Sequence, residues 1–527
     1  MNKQELVRLF AVATVALPGL SLSASIALAQ PASDGFPGSV PKAICGPGDH
    51  TESGLQGQTT TQERFSGDSE RAYNCNLELV GKESQVEFEG AFSQNGPAYA
   101  GECAYYGTDR VTSLQRHLGV TVIDASDPQH PRVSAYLNDT AAARAPHETV
   151  YTNERRHLLV VAQNNGPDFA VYDTSDCRHP VLLADIQLPG SQGHMGAFAP
   201  DGLTYWLTQG GSDFAGALYS VDLTDPAHPV MLPPWHFSGI GGPHEVQLNP
   251  AGFLPGVAEG TRVYAGQPGS AGDGPDGLVI EDVSDYQFRR PNPQIRIIST
   301  LFWTDQGTAE PMVPVKIKGH SYIVSADEAG GAAGPGGLAG ACARGQSLFG
   351  YPNIIDVSDE TNPKIIAKLR LEVSDPAKCL QVANNTPPDP PGTAPGTNLP
   401  AASGTTNYSE ERCVADNPNN AKMLACSFSN AGLRVFDVRD PTHAKEIAYW
   451  KPGAVRTKVL PASGSWAAGV DRTVEKISGW ARWVVAGKGK GPEPQLWTVS
   501  DGNGFQILRF TENFKAQHKD LFQDADE

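Results

Sequence analysis

The chain has few of the features that would place it in a membrane or on a nucleic acid. Beyond residue 30, no stretch approaches the roughly 20 continuous apolar residues that a membrane-spanning helix needs. A basic stripe is also missing, because 58 acidic residues outnumber 40 lysines and arginines and give a net charge of −18. Nucleic acids and anionic lipids both require clustered positive charge. We therefore expect no transmembrane segment and no nucleic-acid partner.

Complete motifs of the common enzyme classes are also missing. No Gly-x-Ser-x-Gly elbow of a serine hydrolase occurs, and the GKGKG stretch at 487–491 lacks the spacing and the Ser/Thr of a phosphate-binding loop. There is no Cys-x-x-Cys pair, which makes a thiolate metal site improbable. The sequence thus leaves open whether the protein is an enzyme.

The N-terminus has the pattern of a Sec-type secretory signal. Lys3 and Arg8 precede an apolar stretch that ends in the small-residue sequence Ala27-Leu28-Ala29. This pattern predicts a signal peptide at 1–29, cleaved near Ala29-Gln30. We expect a periplasmic or secreted protein.

Eight cysteines in an exported chain favour disulfide bonds. Cys413 and Cys426 flank the turn NPNN symmetrically, as facing residues of a hairpin would. The remaining connectivity is open, and the pairs expected on weaker grounds are Cys342 with Cys379, Cys75 with Cys103, and Cys45 with Cys177.

One motif recurs along most of the chain. In each copy an alternating strand of β-branched or aromatic residues ends in Asp, and a polar residue, a second Asp and usually a proline follow. The six copies are GVTVIDASDPQHP (119–131), DFAVYDTSDCRHP (168–180), ALYSVDLTDPAHP (217–229), GLVIEDVSDYQFRRPNP (277–293), YPNIIDVSDETNP (351–363) and GLRVFDVRDPTHA (432–444). The Asp residues are of the type that caps turns.

Each copy lies between other strand-like segments. A short strand follows it and a hairpin precedes it, which gives four strands per repeat and essentially no amphipathic helical period. Repeats of this length and type predict an all-β, seven-bladed β-propeller. The seventh copy, 495–510, lacks its outer strand. We expect residues 56–66 to supply that strand, so that pairing of N- and C-terminal segments closes the ring.

The predicted organisation follows from these repeats. Residues 30–54 form an extended lead-in, residues 55–514 form the propeller, and residues 515–527 form a C-terminal tail. A Pro- and Thr-rich loop insertion at 380–408 interrupts the propeller, and the Gly-rich stretch 329–341 is expected to be another loop.

The repeat motif carries a family resemblance. GVTVIDASDP, NIIDVSDETNP and GLRVFDVRDP resemble the LVIVD repeat of bacterial envelope proteins, and the resemblance covers nearly all of the chain after the signal peptide. It implies a β-propeller and assigns no activity, because that family is largely uncharacterised. One copy departs from the pattern by placing Cys177 where a proline is expected, which suggests a disulfide there.

Candidate site residues come from aligning the repeats at the start of the innermost strand. His147, His194 and His244 occupy one equivalent position in three consecutive blades, and Glu148 and Glu245 directly follow two of them. In the fifth blade Glu310 or Met312 takes this position, and the first and sixth blades offer Cys75 and Arg412.

A metal site is one interpretation of this alignment. Imidazole is a common ligand of zinc, iron and copper, so His147, His194, His244 and Glu310 are predicted ligands of a divalent transition metal. Glu148 and Glu245 would orient the imidazoles. Further ligand-binding side chains are expected on the loops after the second strands, namely Gln163, Gln209, Asp327 and Glu328.

Two functions are compatible with these residues. The first is a propeller that binds a small molecule, a glycan or an envelope protein at the histidine-lined channel mouth. The second is a metalloenzyme, a hydrolase, lyase or oxidase, that uses the histidine-bound ion. A third interpretation needs no ligand, since histidine at a strand start can simply donate a hydrogen bond to a neighbouring blade.

Overall fold

The computed structural model describes residues 34–83, 97–107, 119–209, 216–237, 241–267, 276–384, 408–454, 476–477, 479–484, 494–500 and 503–522. The predicted signal peptide and most of the predicted loop insertion lie outside these ranges. The strands within them form seven small antiparallel sheets.

The first five blades follow one another along the chain, after two strands, β1 (Tyr73–Cys75) and β2 (Leu77–Glu83), that belong to later blades. Blade 1 contains β3 (Ala98–Ala100), β4 (Cys103–Gly107), β5 (Val120–Asp124) and β6 (Arg132–Leu137). Blade 2 contains β7 (Pro146–Asn153), β8 (Leu158–Gln163), β9 (Asp168–Asp173) and β10 (Val181–Gln187). Blade 3 contains β11 (Gly193–Phe198), β12 (Thr204–Gln209), β13 (Ala217–Asp222), β14 (Val230–Met231) and β15 (Trp235–His236). Blade 4 contains β16 (Glu245–Leu248), β17 (Arg262–Gln267), β18 (Asp276–Asp282) and β19 (Arg296–Trp303). Blade 5 contains β20 (Ala309–Ile317), β21 (His320–Asp327), β22 (Asn353–Asp356) and β23 (Lys364–Lys368).

The last two blades combine strands from both ends of the chain. Blade 6 contains β24 (Arg412–Ala415), β25 (Met423–Ser427), β26 (Leu433–Asp437) and β27 (Lys445–Lys451), and β1 adds to its outer edge. Blade 7 contains β28 (Arg482–Val484), β29 (Gln495–Ser500) and β30 (Gly504–Phe510), and β2 is its outer strand. The seven-bladed propeller closed by both chain ends is therefore confirmed.

The identity of the closing strand differs from the prediction. Residues 77–83 pair with β30, whereas the predicted segment 56–66 ends in the short helix α1 (Thr61–Ser66). Thr60 and Glu63 form a reciprocal capping box, which favours a helix start over a strand. The prediction of this strand was wrong, because the capping box starts a helix within the segment.

The hydrophobic core lies between neighbouring blades. Seven clusters of buried residues each join two adjacent sheets, for example Val160 of blade 2 with Tyr205 of blade 3. The last cluster joins Trp497 of blade 7 to Tyr106 of blade 1 and so completes the ring. The first strands of neighbouring blades contact one another around the axis. These inner strands line the axial channel and position its side chains.

The recurring Asp residues cap the turns between the third and fourth strands. Each accepts a hydrogen bond from the backbone N–H two residues later, as in an Asx turn. These residues are Asp124, Asp173, Asp222, Asp282, Asp356 and Asp437. The turn histidines lie beside the second Asp of the motif and are exposed, as with His228 Nδ1 at 2.9 Å from Asp225 Oδ2. The repeat motif is thus structural.

Helices are short and lie outside the blades. In the described part of the chain they are α1, α2 (Ala141–Arg144), α3 (Ser284–Gln287), α4 (Gly337–Arg344), α5 (Cys379–Ala383), α6 (Glu512–Gln517) and α7 (Lys519–Phe522). None of them has the length and apolar composition needed to cross a membrane. The Gly-rich stretch predicted to be a loop contributes to α4, which the Cys342–Cys379 disulfide joins to α5.

Four disulfides use all eight cysteines. The predicted Cys413–Cys426 and Cys342–Cys379 bonds are confirmed. The other two predictions were wrong, since the bonds are Cys45–Cys75 and Cys103–Cys177. Cys75 lies on β1 at the edge of blade 6, which also removes it from the inner-strand position assigned to it from the sequence. The bridge predicted at Cys177 is present and links blades 1 and 2.

We expect peptide mapping of the unreduced protein to recover the Cys103–Cys177 crosslink. Removing it with the double substitution Cys103→Ser and Cys177→Ser should cost about 4 kcal/mol of unfolding free energy, because it frees a loop of 74 residues in the unfolded chain. Urea unfolding measures this loss. A Cys75–Cys103 crosslink in the peptide map would contradict the arrangement.

Candidate functional site

Three inner strands start with a β-bulge. The pairing register shifts between Pro146 and Val150 in β7, between Gly193 and Gly196 in β11, and between Ala309 and Met312 in β20. A bulge bends the strand and redirects the side chains within it. The residues placed in these bulges include His147, Glu148, His194 and Glu310.

His194 and His244 meet at this end of the channel. Their Nε2 atoms are 2.9 Å apart, and the two rings are stacked with centroids 4.9 Å apart. His244 is buried, whereas His194 is half-buried. At this distance one Nε2 donates a hydrogen bond to the other, or both nitrogens bind the same metal ion. The backbone of His147 lies in β7, and its side chain lies outside the described part of the structure.

Glu310 is positioned behind this imidazole pair. Its Oε1 lies 3.2 Å from His244 Nδ1, and the carbonyl oxygen of Ala309 lies 3.3 Å from the same nitrogen. A proton on Nδ1 satisfies these acceptors and leaves Nε2 with its lone pair toward His194. The predicted ligand Glu310 is thus placed as the hydrogen-bond partner that orients an imidazole.

Arg412 binds the glutamates of three other blades. Its guanidinium nitrogens lie 2.5 Å from Glu310 Oε2, 2.9 Å from Glu148 Oε2 and 3.4 Å from Glu245 Oε2. These four residues are called the Arg412 cluster below. None of their side chains is more than 10% exposed, so the cluster occupies the interior of the channel. Glu148 and Glu245, predicted to orient imidazoles, both bind Arg412.

The Arg412 cluster contains three carboxyl groups and one guanidinium group. Burial raises the pKa of Glu310 well above its usual range, and the charges of Glu148, Glu328 and Glu245 raise it further, although Arg412 opposes them. Burial likewise raises the pKa of Glu245 against the effect of Arg412. Burial lowers the pKa of Arg412, but its three glutamates more than reverse this, so the guanidinium stays charged. One cation thus faces three carboxyl groups, and the raised pKa values of Glu245 and Glu310 favour their protonated forms.

Glu328 is the other predicted residue that approaches the histidines. One ring nitrogen of His244 and one carboxylate oxygen each of Glu310 and Glu328 lie within 4.8 Å of one another. Glu328 is only partly buried. The histidine end therefore combines imidazole nitrogen with carboxylate oxygen, a donor set that zinc, iron and copper all accept.

The other predicted polar residues bind backbone groups of nearby loops. Asp327 Oδ1 accepts from the N–H groups of Gly307, Thr308 and Ala329. Gln209 Oε1 accepts from the N–H of Gln192. Gln163 ends β8 opposite Pro146. These contacts hold the segments that lead into the inner strands.

Comparisons with known proteins do not assign the chain to a family. No family model and no curated protein matches the sequence. Solved structures with a similar course of the chain include Sqt1 of Saccharomyces cerevisiae, with 9% identity over 79% of this chain and 97% of that chain and a TM-score of 0.44. A candidate 6-phosphogluconolactonase from Bacteroides fragilis has 12% identity over 73% and 99% of the two chains and a TM-score of 0.41. The N-terminal domain of Nup159 has 8% identity over 90% and 100%, with a TM-score of 0.41.

These similarities are too distant to carry a function. The fold rests on the strand pairing and on the ring of interblade cores described above. The resemblance to the LVIVD repeat stays a prediction, since no family model supports it.

Proposed function

We propose that this chain is an exported binding propeller that takes its ligand at the histidine end of the axial channel. The observation that carries the proposal is the stacked pair of His194 and His244, with facing Nε2 atoms and the buried Arg412 cluster behind it. Four disulfides support export to an oxidising compartment, periplasmic or extracellular. A small molecule, a glycan or an envelope protein is the expected class of ligand.

The chemistry of the histidine end favours a ligand that can both donate and accept hydrogen bonds. His194 is the partly exposed member of the pair. Glu328, also partly exposed, adds a carboxylate near His244. Because the buried groups behind them are already paired, binding would not have to break the Arg412 cluster. Polar groups held in place before binding lose little entropy when the ligand arrives.

NMR of protein labelled with ¹³C at the histidine Cε1 positions tests this proposal. Addition of the small-molecule extract, and then of the soluble protein fraction, of the cell envelope should shift the resonances of His194 and His244. The exposed turn residues His130 and His228 serve as internal controls and should not move. Resonances of His194 and His244 that stay fixed with both fractions would refute a binding site at this end.

The second candidate function is a metalloenzyme. Two nitrogens at about 2.0–2.1 Å from one ion lie about 3.3–3.4 Å apart at the tetrahedral angle of zinc and about 2.9 Å apart at the right angle of square-planar or octahedral sites. The observed separation of 2.9 Å matches the right-angled arrangement, and zinc would need the two nitrogens to move apart by about 0.4 Å. Glu310 at Nδ1 of His244 has the position of the carboxylate that commonly orients a metal-binding imidazole. A bound ion would polarise substrate or activate water or oxygen, as a hydrolase, lyase or oxidase requires.

We predict that Zn²⁺, if this candidate is correct, binds at about one equivalent with ligands His194 and His244. Replacing both histidines by alanine should abolish binding, and Glu310→Gln should weaken it about 10–100-fold because it removes the partner of Nδ1. Titration calorimetry and elemental analysis measure both effects, with exposed His228→Ala as the matched control. Wild-type protein that takes up no Zn²⁺, Fe²⁺ or Cu²⁺ would eliminate the metalloenzyme and leave the binding propeller.

A further inference from the structure

A cavity lies near the ends of the inner strands, opposite to the end that carries the histidines. It has a volume of about 280 Å³, and its lining includes Thr152 and Glu154 from the end of β7 and Gln247 from β16. His244 of the histidine end stands three residues before Gln247, which corresponds to about 10 Å along a β-strand. The cavity therefore lies well away from the histidine end.

The Arg412 cluster separates the cavity from the histidines. Tyr151 lines the cavity and donates its hydroxyl proton to Glu245 Oε1 at 3.1 Å. Trp480 also lines it, and the guanidinium carbon of Arg412 lies 5.7 Å from the Trp480 ring. Tyr99 is a third aromatic residue of the lining. Because the cluster is buried, a molecule in this cavity does not reach the imidazole pair.

The lining offers aromatic surface and a balanced set of polar groups. Tyr151 and Trp480 are both partly exposed, and so are the polar side chains of Thr152 and Gln247. Arg482 NH2 binds both carboxylate oxygens of Glu154, at 3.0 and 3.2 Å. The two charges of the lining thus neutralise each other.

We propose that this cavity binds one ring of a neutral carbohydrate. A sugar ring has an apolar face of C–H groups that suits Trp480 and Tyr151, and its hydroxyls suit the amide of Gln247. A charged ligand would compete with Glu154 or Arg482 for its partner, which disfavours acidic and amino sugars. The volume is close to the lower end of the roughly 300–1,000 Å³ typical of small-molecule sites, which favours a single ring.

Saturation-transfer NMR and titration calorimetry of the full protein test this proposal with sugars of similar size. Glucose and N-acetylglucosamine are the neutral probes, and glucuronate and glucosamine are their charged counterparts. We expect a neutral sugar to bind with a Kd of about 1 mM, at least about fivefold more tightly than either charged sugar. Such an affinity is typical of a single small ring that gains only a few hydrogen bonds.

Variants locate the binding within the cavity. Gln247→Ala and Trp480→Phe should each weaken binding at least about fivefold. Gln247 is partly exposed, and its Nε2 also lies 3.5 Å from Glu245 Oε1. The matched controls should leave it unchanged. They are Gln294→Ala in an exposed loop and Trp483→Phe, whose ring lies against Phe510 and whose Nε1 donates to the carbonyl of Val414 outside the cavity.

Three outcomes would overturn the proposal. They are tighter binding of a charged sugar, unchanged affinity in both cavity variants, and no saturable binding of either neutral sugar up to about 50 mM. The proposal is independent of the histidine end, so replacement of both His194 and His244 by alanine should not alter sugar binding. If the protein does not bind sugars in this cavity, the proposed function at the histidine end is not affected.

Discussion

Replacing Arg412 by methionine should destabilise the protein by about 3–5 kcal/mol near pH 8. Arg412 is buried and is bound to Glu148, Glu245 and Glu310. Without the guanidinium, these carboxyl groups remain in the channel with no cation to offset their desolvation. Urea unfolding of the wild type and the variant gives the difference in free energy.

The unfolding free energy lost in Arg412→Met should increase as the pH rises. Burial holds the pKa values of Glu245 and Glu310 above their usual range, and Arg412 lowers both in part. A carboxyl whose pKa is raised on folding stabilises the fold at low pH and loses that contribution as pH rises through the folded pKa. Removing Arg412 raises both pKa values further, so Glu245 and Glu310 stay neutral to a higher pH in the variant than in the wild type. The deficit should therefore be small near pH 5 and grow toward pH 8.

Removal of the carboxylate charges provides the control. Adding Glu148→Gln, Glu245→Gln and Glu310→Gln to Arg412→Met should recover most of the lost stability and remove its pH dependence, because the cluster then contains no charged group. Arg132→Met, which removes a mostly exposed arginine, should cost less than about 1 kcal/mol. A deficit for Arg412→Met that is equal at both ends of the pH range would contradict this account of the cluster.

Deleting residues 34–83 should abolish cooperative folding. The deletion removes β2, the outer strand of blade 7, together with β1 and the Cys45–Cys75 disulfide. It also removes Glu52, which binds the fully buried side chains of Arg434 and Lys451. Two buried cations would then lose a carboxylate partner, and β30 would have an unpaired edge. Thermal unfolding followed by near-UV circular dichroism should show no cooperative transition.

A permuted chain tests whether the deletion acts through the loss of ring closure or only through the shorter chain. Residues 34–83 can be joined to the C-terminus through a flexible Gly/Ser linker of about 20 residues, which spans about 25 Å. This permuted chain contains the same strands as the wild type and should regain a cooperative transition, because β2 can pair with β30 again. A cooperative transition in the deleted chain would show that the N-terminal strands are not needed to close the ring.

Most of the fold could be predicted because each blade carries its own local signal. The turn motif ends the third strand of six blades with a capping Asp, and the truncated copy at 495–510 indicates the seventh blade. Disulfide partners such as Cys103 and Cys177 were harder to predict, since they depend on which turns of neighbouring blades lie side by side. Only Cys413–Cys426 follows directly from hairpin register.

The candidate site could be predicted in part. Alignment of the inner strands located His194, His244 and Arg412, because each residue stands near the start of its strand. The bulges in β7, β11 and β20 have no clear sequence signal, yet they decide which side chains meet. The roles of Glu148 and Glu245 as partners of Arg412, and that of Tyr151, depend on distances across the channel that no local pattern encodes.

The most direct test of the proposed function is a crystal structure of the protein purified from its own envelope under native conditions. We expect difference density for a ligand or an ion at the histidine end, within about 3.2 Å of an Nε2 atom of His194 or His244. The pair is the one place in the described structure where two imidazoles of the inner strands face each other. Ordered water alone beside both rings, with a ligand bound elsewhere on the propeller, would contradict the proposal.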